Sequence, residues 1–219
     1  MLHETAVSDF DLIELISAKI CHDLAGPIGA VNNGVELLLE DKCAIKDRAA
    51  FLIEESAREA VARLQFFRQL YGNVSLVGEA NLEHLKNITV SFFKDSKIML
   101  DWPDGHTNAS EVSISHKLGK IMLNIILIGS TILIHGGKLS VRLQKLPTGK
   151  RISVTASGTG LKVDEFLLQN ALDKVDSASV NSRNVQVYYT FRFAKQVGVH
   201  IHMDQKTDLV EFTIDQLRA

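Results

Sequence analysis

One histidine, followed directly by an acid, is the residue of this sequence best suited to chemistry. His22 and Asp23 lie in the stretch "SAKICHDLAGPIGAVNNGVELL" (17–38), without a metal-ligand cluster or a glycine-rich phosphate loop beside them. Cys21 directly precedes His22, but adjacent helical residues point about 100° apart, so a Cys–His nucleophilic pair is not expected. A neutral imidazole nitrogen in this setting can attack a phosphoryl group, hold it as phosphohistidine and pass it on. Because an adjacent carboxylate can accept a hydrogen bond from the ring and influence its tautomer, we predict that His22 is a phosphoacceptor and that Asp23 orients it or supports its acid–base chemistry.

The side chains that share a helical face with His22 are mostly very small. The face points about 180° away from the apolar stripe of the same segment, since positions three, four and seven residues apart lie on one side of a helix. A glycine inside a helix costs about 1 kcal/mol relative to alanine, so two glycines beside one imidazole indicate that another molecule must approach closely. We expect a partner protein to bind this face, through Ala18, Lys19, Ala25, Gly26, Gly29 and Asn33.

Two long amphipathic helices are expected to position this face. Apolar residues from Ile13 to Leu38 step by three or four along the first. In the second, a series from Ala50 to Tyr71 alternates steps of three and four, the period of coiled coils and four-helix bundles. Because a two-helix hairpin cannot bury an apolar stripe on each helix by itself, we expect residues 1–74 to form a homodimeric four-helix bundle. The alternative is that the hairpin packs on its own second domain.

The remainder of the chain, residues 75–219, mixes two kinds of pattern. Helical spacing covers residues 79–93, 115–134 and 186–197. Strand-like stretches cover residues 96–102, 138–146, 151–157, 199–204 and 209–214. The sequence therefore predicts an α+β sandwich, with helices on one face of a mixed sheet, attached to the helical hairpin.

Composition and charge narrow the range of partners. A net charge of −2 lacks the basic footprint of nucleic-acid binding. The most apolar run, residues 121–134, is shorter than the ~20 residues that span a bilayer, and the N-terminus does not have the pattern of a signal peptide. We expect a cytoplasmic protein with reduced cysteines (Cys21 and Cys43) that binds neither nucleic acid nor membrane. His200 and His202 share a strand face without a third ligand, so neither a metal site nor a cofactor is expected.

The stretch around His22 resembles a known signalling motif. "HDLAGP" (22–27) resembles the H-box of histidine kinases, in which an acid and a leucine follow the histidine and a proline lies five residues beyond it. The longer "ICHDLAGPIGAVNNGVELL" is more similar to the ChpT-type histidine phosphotransferases of bacterial cell-cycle phosphorelays, whose layout of hairpin and kinase-like α+β domain covers the whole chain. Ala25 and Gly26 replace the polar residues of the H-box, which argues against phosphatase activity because no side chain remains to position a water.

The second domain departs from the kinases at each ATP-binding motif. The paired asparagines of a kinase correspond here to Asn124 and Ile128, and the aspartate that contacts adenine corresponds to Ala156. Asn184 and Gln186 replace a later pair of glycines. An isoleucine cannot ligate a metal ion, and an alanine cannot accept the hydrogen bond of the adenine amine. The resemblance therefore implies a degenerate ATPase-like domain without kinase activity.

The resemblance also implies a place in a phosphorelay. His22 would accept phosphate from the receiver domain of a hybrid histidine kinase and donate it to aspartates of response regulators. Magnesium would be bound by the partner receiver domain, and no cofactor by this chain. Two alternatives stay open at this point: a divergent histidine kinase with residual use of ATP, and a dimeric adaptor without phosphate chemistry.

Overall fold

The described residues of the computed structural model form five stretches, which are 7–40, 45–72, 78–103, 113–147 and 149–217. Cys43 and the predicted boundary between residues 74 and 75 lie outside them. Within the part of the chain that is described, no helix is both long enough and apolar enough to cross a membrane.

A helical hairpin comes first, as the periodic spacing predicts. Helix α1 spans Asp9–Leu39 and helix α2 spans Lys46–Tyr71. Helix α1 continues through Pro27, which is buried. The two helices approach closely at Gly34, where an added Cβ would lie only 2.6 Å from Cγ1 of Ile53. A side chain at this position would therefore force the helices apart.

The second region is a five-stranded mixed sheet with helices, so the predicted α+β class is confirmed. The strands are β1 Ile98–Asp101, β2 Gly137–Leu146, β3 Gly149–Ser157, β4 His200–Lys206 and β5 Leu209–Leu217. Their order across the sheet is β1-β2-β3-β5-β4, with β1 parallel to β2 and the other pairs antiparallel. The helices are α3 Leu82–Phe93, α4 His116–Ile132, α5 Glu165–Ala171 and α6 Val185–Gln196.

Helix α4 lies at the centre of the core. Strands β2, β3 and β5 alternate buried apolar with more exposed residues, and α4 packs on these strands. Its other sides contact α2, α3 and α6. This double packing explains why the helix is apolar almost all round, since a helix with neighbours on every side has no solvated face.

Two helix assignments differ from the sequence prediction. Helix α3 begins three residues later than expected, because Asn81 accepts a hydrogen bond from the backbone N–H of His84 at 2.9 Å and caps it there. The short helix α5, capped by Asp164, was not predicted. Seven residues make only two turns, which is too few for a helical period to stand out in a sequence.

The hairpin divides its apolar surface between two environments. Phe66, Phe67 and Leu70 of α2 are buried in the core of the second region, against which Ile20 and Leu24 of α1 also pack. The alternative stated from sequence, packing on the chain's own second domain, is therefore correct for this part of the surface. Another set of large apolar side chains on the hairpin is exposed in the single chain, namely Phe10, Ile13, Ile28, Val35, Leu39, Phe51, Val61 and Leu64.

The close approach at Gly34 can be tested against a second glycine of the same helix. We expect Gly34→Ala to lower the free energy of unfolding by roughly 1–3 kcal/mol, because its Cβ would overpack the contact with Ile53. Gly29→Ala is the matched control, since no atom lies within 4 Å of a Cβ placed there. That control is expected to raise stability by up to about 1 kcal/mol through helix propensity. Urea unfolding followed by circular dichroism measures both, and equal effects at the two sites would contradict the prediction.

Candidate functional site

His22 projects from the middle of α1 into solvent. Its side chain is 87% exposed, as the helical periodicity predicts. The exposed apolar residues Ile13, Ile28 and Val35 lie roughly 120–180° around the helix from it at 100° per residue. The imidazole is therefore directed away both from the hairpin's packed interior and from its exposed apolar surface.

Asp23 holds one nitrogen of the ring. Its Oδ1 lies 3.1 Å from Nδ1 of His22, and its Oδ2 lies 2.9 Å from Nζ of Lys19, one helical turn earlier. A carboxylate can only accept hydrogen bonds, so this contact favours the tautomer in which Nδ1 carries the proton. The lone pair is then on Nε2, on the exposed side of the ring. Such a nitrogen is a nucleophile that needs no deprotonation before it reacts.

The surroundings of His22 are bare. We call five exposed residues that lie within about 60° of it on the helical wheel, and whose side chains are small or uncharged, the bare face: Ala18, Ala25, Gly26, Gly29 and Asn33. Asp11 and Glu36 point in a similar direction but lie near the two ends of the helix. A Cβ added at Gly26 or Gly29 would meet no atom within 4 Å. Packing within the chain therefore does not require either glycine. Lys19, grouped with these residues from sequence, instead has its ammonium on Asp23 and a side chain only 19% exposed.

Near Asp23, a half-buried tyrosine connects the hairpin to the second region. Burial raises the pKa of the Tyr71 phenol, and the negative charge of Asp23 raises it further. The Tyr71 hydroxyl donates a hydrogen bond to Oε1 of Gln186 on α6. Asp23 is next to His22 and acts on Tyr71 through its charge. Tyr71 therefore links the surroundings of His22 to the second region through its bond with Gln186.

The same network includes Asn124, the residue that the sequence comparison matched to the first of the paired asparagines of a kinase. Gln186 donates from Nε2 to Oδ1 of Asn124, which is 1% exposed, and Asn124 donates from Nδ2 to the carbonyl of Lys120 at 2.7 Å. Ile128 and Ala156, at two further ATP-motif positions, are buried in the apolar core. The amide of Asn124 is thus committed to partners within the chain.

Other candidates from the sequence are not joined by further chemical groups. His200 and His202 lie on β4, but the described stretches do not contain a group of three or more His, Cys, Asp or Glu residues able to hold a metal ion. Cys21 is exposed on α1. Among the described residues, His22 with its neighbouring carboxylate is therefore the strongest candidate site.

Sequence reasoning missed two parts of the site. The contact between Lys19 and Asp23 has the i,i+4 spacing of helical ion pairs and could have been recognised from that spacing alone. The contact between Tyr71 and Gln186 could not, because it joins residues 115 positions apart. Tyr71 appeared in the sequence only as the last apolar residue of a helix.

Comparisons with known proteins identify the family of this chain. The family described as histidine phosphotransferase C-terminal domain matches residues 82–208. The chain is 32% identical over 210 residues to the protein phosphotransferase ChpT of Brucella abortus (strain 2308), with 95% of this chain and 97% of that protein covered. A solved structure of a bacterial phosphotransferase matches with a TM-score of 0.82 and 31% identity, covering 96% of this chain and 98% of that one. The hairpin and the second region are therefore matched together.

Proposed function

Because the chain belongs to the ChpT-type histidine phosphotransferases, we propose that His22 carries the phosphoryl group and that Asp23 orients its ring. The observation that supports this assignment is the exposed imidazole whose Nδ1 lies on Asp23 while Nε2 is left for reaction. Other histidines of the described chain lack this combination of exposure, an orienting carboxylate and a bare face.

The transfer needs little rearrangement in this chain. The Nε2 lone pair attacks phosphorus of an aspartyl phosphate, a nitrogen–phosphorus bond forms, and the bond between phosphorus and the carboxylate oxygen breaks with its electron pair left on the aspartate. The proton on Nδ1 stays in place, and Asp23 compensates the positive charge of the ring. The reverse sequence passes the phosphoryl group to a second aspartate. The number of protons bound to this protein therefore does not change during the transfer.

The donor and the acceptors are receiver domains. Family membership supports partners from two-component signalling, and we propose the receiver domain of a hybrid histidine kinase as donor and response regulators as acceptors. The described chain offers little to neutralise a phosphoryl group near Nε2, since the bare face carries no charge and Lys19 is engaged by Asp23. Magnesium and the remaining charge compensation are accordingly assigned to the receiver domain, and no cofactor to this chain.

The buried state of Asn124 supports a relay that does not use ATP. A metal ion held by Asn124 would need its Oδ1, the atom that accepts the hydrogen bond from Nε2 of Gln186, and the buried amide of Gln186 would then lose this partner. A lost buried hydrogen bond of this kind costs about 1–3 kcal/mol. ATP-dependent autophosphorylation would therefore begin from an unfavourable rearrangement of the core.

The central experiment follows the phosphoryl group. A receiver domain carrying radiolabelled aspartyl phosphate should transfer label to this protein, and His22→Ala should abolish that transfer. Asp23→Asn should retain labelling with a rate lowered roughly 10²–10⁴-fold, because it keeps the shape but loses the charge that orients and balances the ring. Radiolabelled ATP alone serves as the kinase control and is expected to leave the protein unlabelled. Label that persists in His22→Ala would contradict the site.

The bare face is the proposed contact for the receiver domain. Ala18, Ala25, Gly26, Gly29 and Asn33 surround His22, and Lys19 borders them. Two glycines in the helix interior together cost about 2 kcal/mol relative to alanine, without a packing contact in the chain that requires them. A receiver aspartate must come within bonding distance of Nε2, and small side chains let the receiver backbone approach that closely.

Enlarging the bare face should separate stability from function. We expect Gly29→Leu to fold at least as stably as the wild type, because the added side chain has open space in the chain. The receiver concentration needed for half-maximal transfer should nevertheless rise at least about tenfold, equivalent to 1.4 kcal/mol of lost binding. Rapid-quench transfer assays over a range of receiver concentrations measure this. Unchanged transfer kinetics in Gly29→Leu would remove the bare face from the proposal.

We further propose a homodimer formed through the exposed apolar surface of the hairpin. The side chains of Ile28, Val61 and Leu64 are each more than half exposed in the single chain. Burying such side chains stabilises an association by about 1.5–3 kcal/mol for each one fully buried. On α1 this surface lies away from His22, so a four-helix bundle would leave both phosphoacceptors accessible.

The association state provides the test of the homodimer. The wild type is expected to sediment at twice the chain mass at micromolar concentration, and Leu64→Glu should shift it towards monomer. Leu172→Glu is the matched control. The two leucines are similarly exposed, 64% for Leu172 and 56% for Leu64, but Leu172 lies outside the hairpin. A monomeric wild type, or the same shift in both variants, would contradict the proposed interface.

A further inference from the structure

We infer that Lys19 is a positioning residue for phosphotransfer, which acts through Asp23 and does not bind the partner protein. This inference rests on the proposed role of His22 as phosphoacceptor. It replaces the role in partner binding that the sequence predicted for Lys19. It concerns the geometry of the nucleophile and not the affinity for the receiver domain.

The contacts of Asp23 carry the inference. Each of its two carboxylate oxygens lies on a different cation or ring: Oδ2 on Nζ of Lys19 at 2.9 Å, Oδ1 on Nδ1 of His22 at 3.1 Å. Lys19 and Asp23 are 19% and 20% exposed, while His22 is 87% exposed. The ammonium is therefore partly enclosed, and it contacts the carboxylate oxygen of Asp23 that does not contact the imidazole.

The geometry makes the orientation of His22 depend on Lys19. A carboxylate rotates readily about its terminal torsion unless both oxygens are held. Lys19 fixes one oxygen, and the other is then directed at Nδ1. Without Lys19, Asp23 can turn to water, and a neutral histidine in water favours the tautomer with the proton on Nε2. In that tautomer the exposed nitrogen lacks the lone pair that attacks phosphorus.

Ion pairs at i,i+4 spacing are common on helices and add little to stability. The test must therefore use a readout that a merely structural pair would not change. Glu59 and Arg63 form such a pair on α2, with Nη2 and Oε1 2.7 Å apart. Glu59→Gln is accordingly the matched control for removing a helical ion pair at a distance from His22.

The kinetic experiment distinguishes positioning from binding. Lys19→Met keeps most of the aliphatic stem and removes the charge. We expect the rate at saturating phosphorylated receiver to fall roughly ten- to a hundredfold, the effect of a misplaced reacting group, with the half-saturating concentration unchanged. Lys19→Arg should restore most of the rate, because its guanidinium can also hold Oδ2, and Glu59→Gln should behave as wild type. A higher half-saturating concentration with an unchanged rate would instead assign Lys19 to partner binding and overturn the inference.

Two further measurements test whether Lys19 acts through Asp23. In an Asp23→Asn background, Lys19→Met should have almost no additional effect, whereas an independent role would make the two losses multiply. The imidazole nitrogen chemical shifts of unphosphorylated His22 should move towards the Nε2-protonated tautomer in Lys19→Met and remain in Lys19→Arg. Unchanged shifts in Lys19→Met would overturn the inference. Failure of this inference would leave the phosphoacceptor assignment intact, because labelling of His22 is measured in a separate experiment. Label that persists in His22→Ala would instead show failure of the proposed function.

Discussion

Helix α1 presents three different sides on one 31-residue element, and the arrangement of the hairpin follows from that constraint. One side packs on α2 and on the second region, where Ile20 and Leu24 reach the core. A second side keeps apolar residues exposed, and a third presents His22 among small residues. The third side gives up about 2 kcal/mol at two glycines, a sizeable share of the 5–15 kcal/mol that stabilises a typical domain. The buried core of α4 and the sheet offsets that loss.

Asp23 joins the reactive side of α1 to the interior. Its carboxylate contacts His22 and Lys19 directly, and its charge acts on the half-buried phenol of Tyr71. Tyr71 in turn bonds Gln186, which bonds Asn124. The bond between Tyr71 and Gln186 therefore ties the hairpin to the second region. Gln186 and Asn124 are buried polar side chains that bond to each other.

Much of this arrangement follows from local patterns in the sequence. The two helices of the hairpin, the outward direction of His22 and the α+β class were all predictable, because periods of 3.6 and 2 residues determine which side chains share a face. Helix α5 escaped because two turns give no readable period. The bond between Tyr71 and Gln186 escaped because a contact across 115 residues is fixed by tertiary packing and leaves no local signal. Lys19 is intermediate between these cases. Its i,i+4 spacing from Asp23 can be seen in the sequence, but only the structure shows that its ammonium contacts Asp23.

The proposed role of His22 as phosphoacceptor depends on its exposure. An imidazole that is 87% exposed stays largely hydrated in the free protein. Because of this exposure, the chain alone provides almost no electrostatic stabilisation for the transition state of phosphoryl transfer. Such stabilisation requires fixed charges in a site that excludes water. The complete catalytic environment must then form only when a receiver covers the bare face and brings its own charges. Under the proposed function, a site divided in this way would react with receivers that fit the face and not with phosphate donors that cannot cover it.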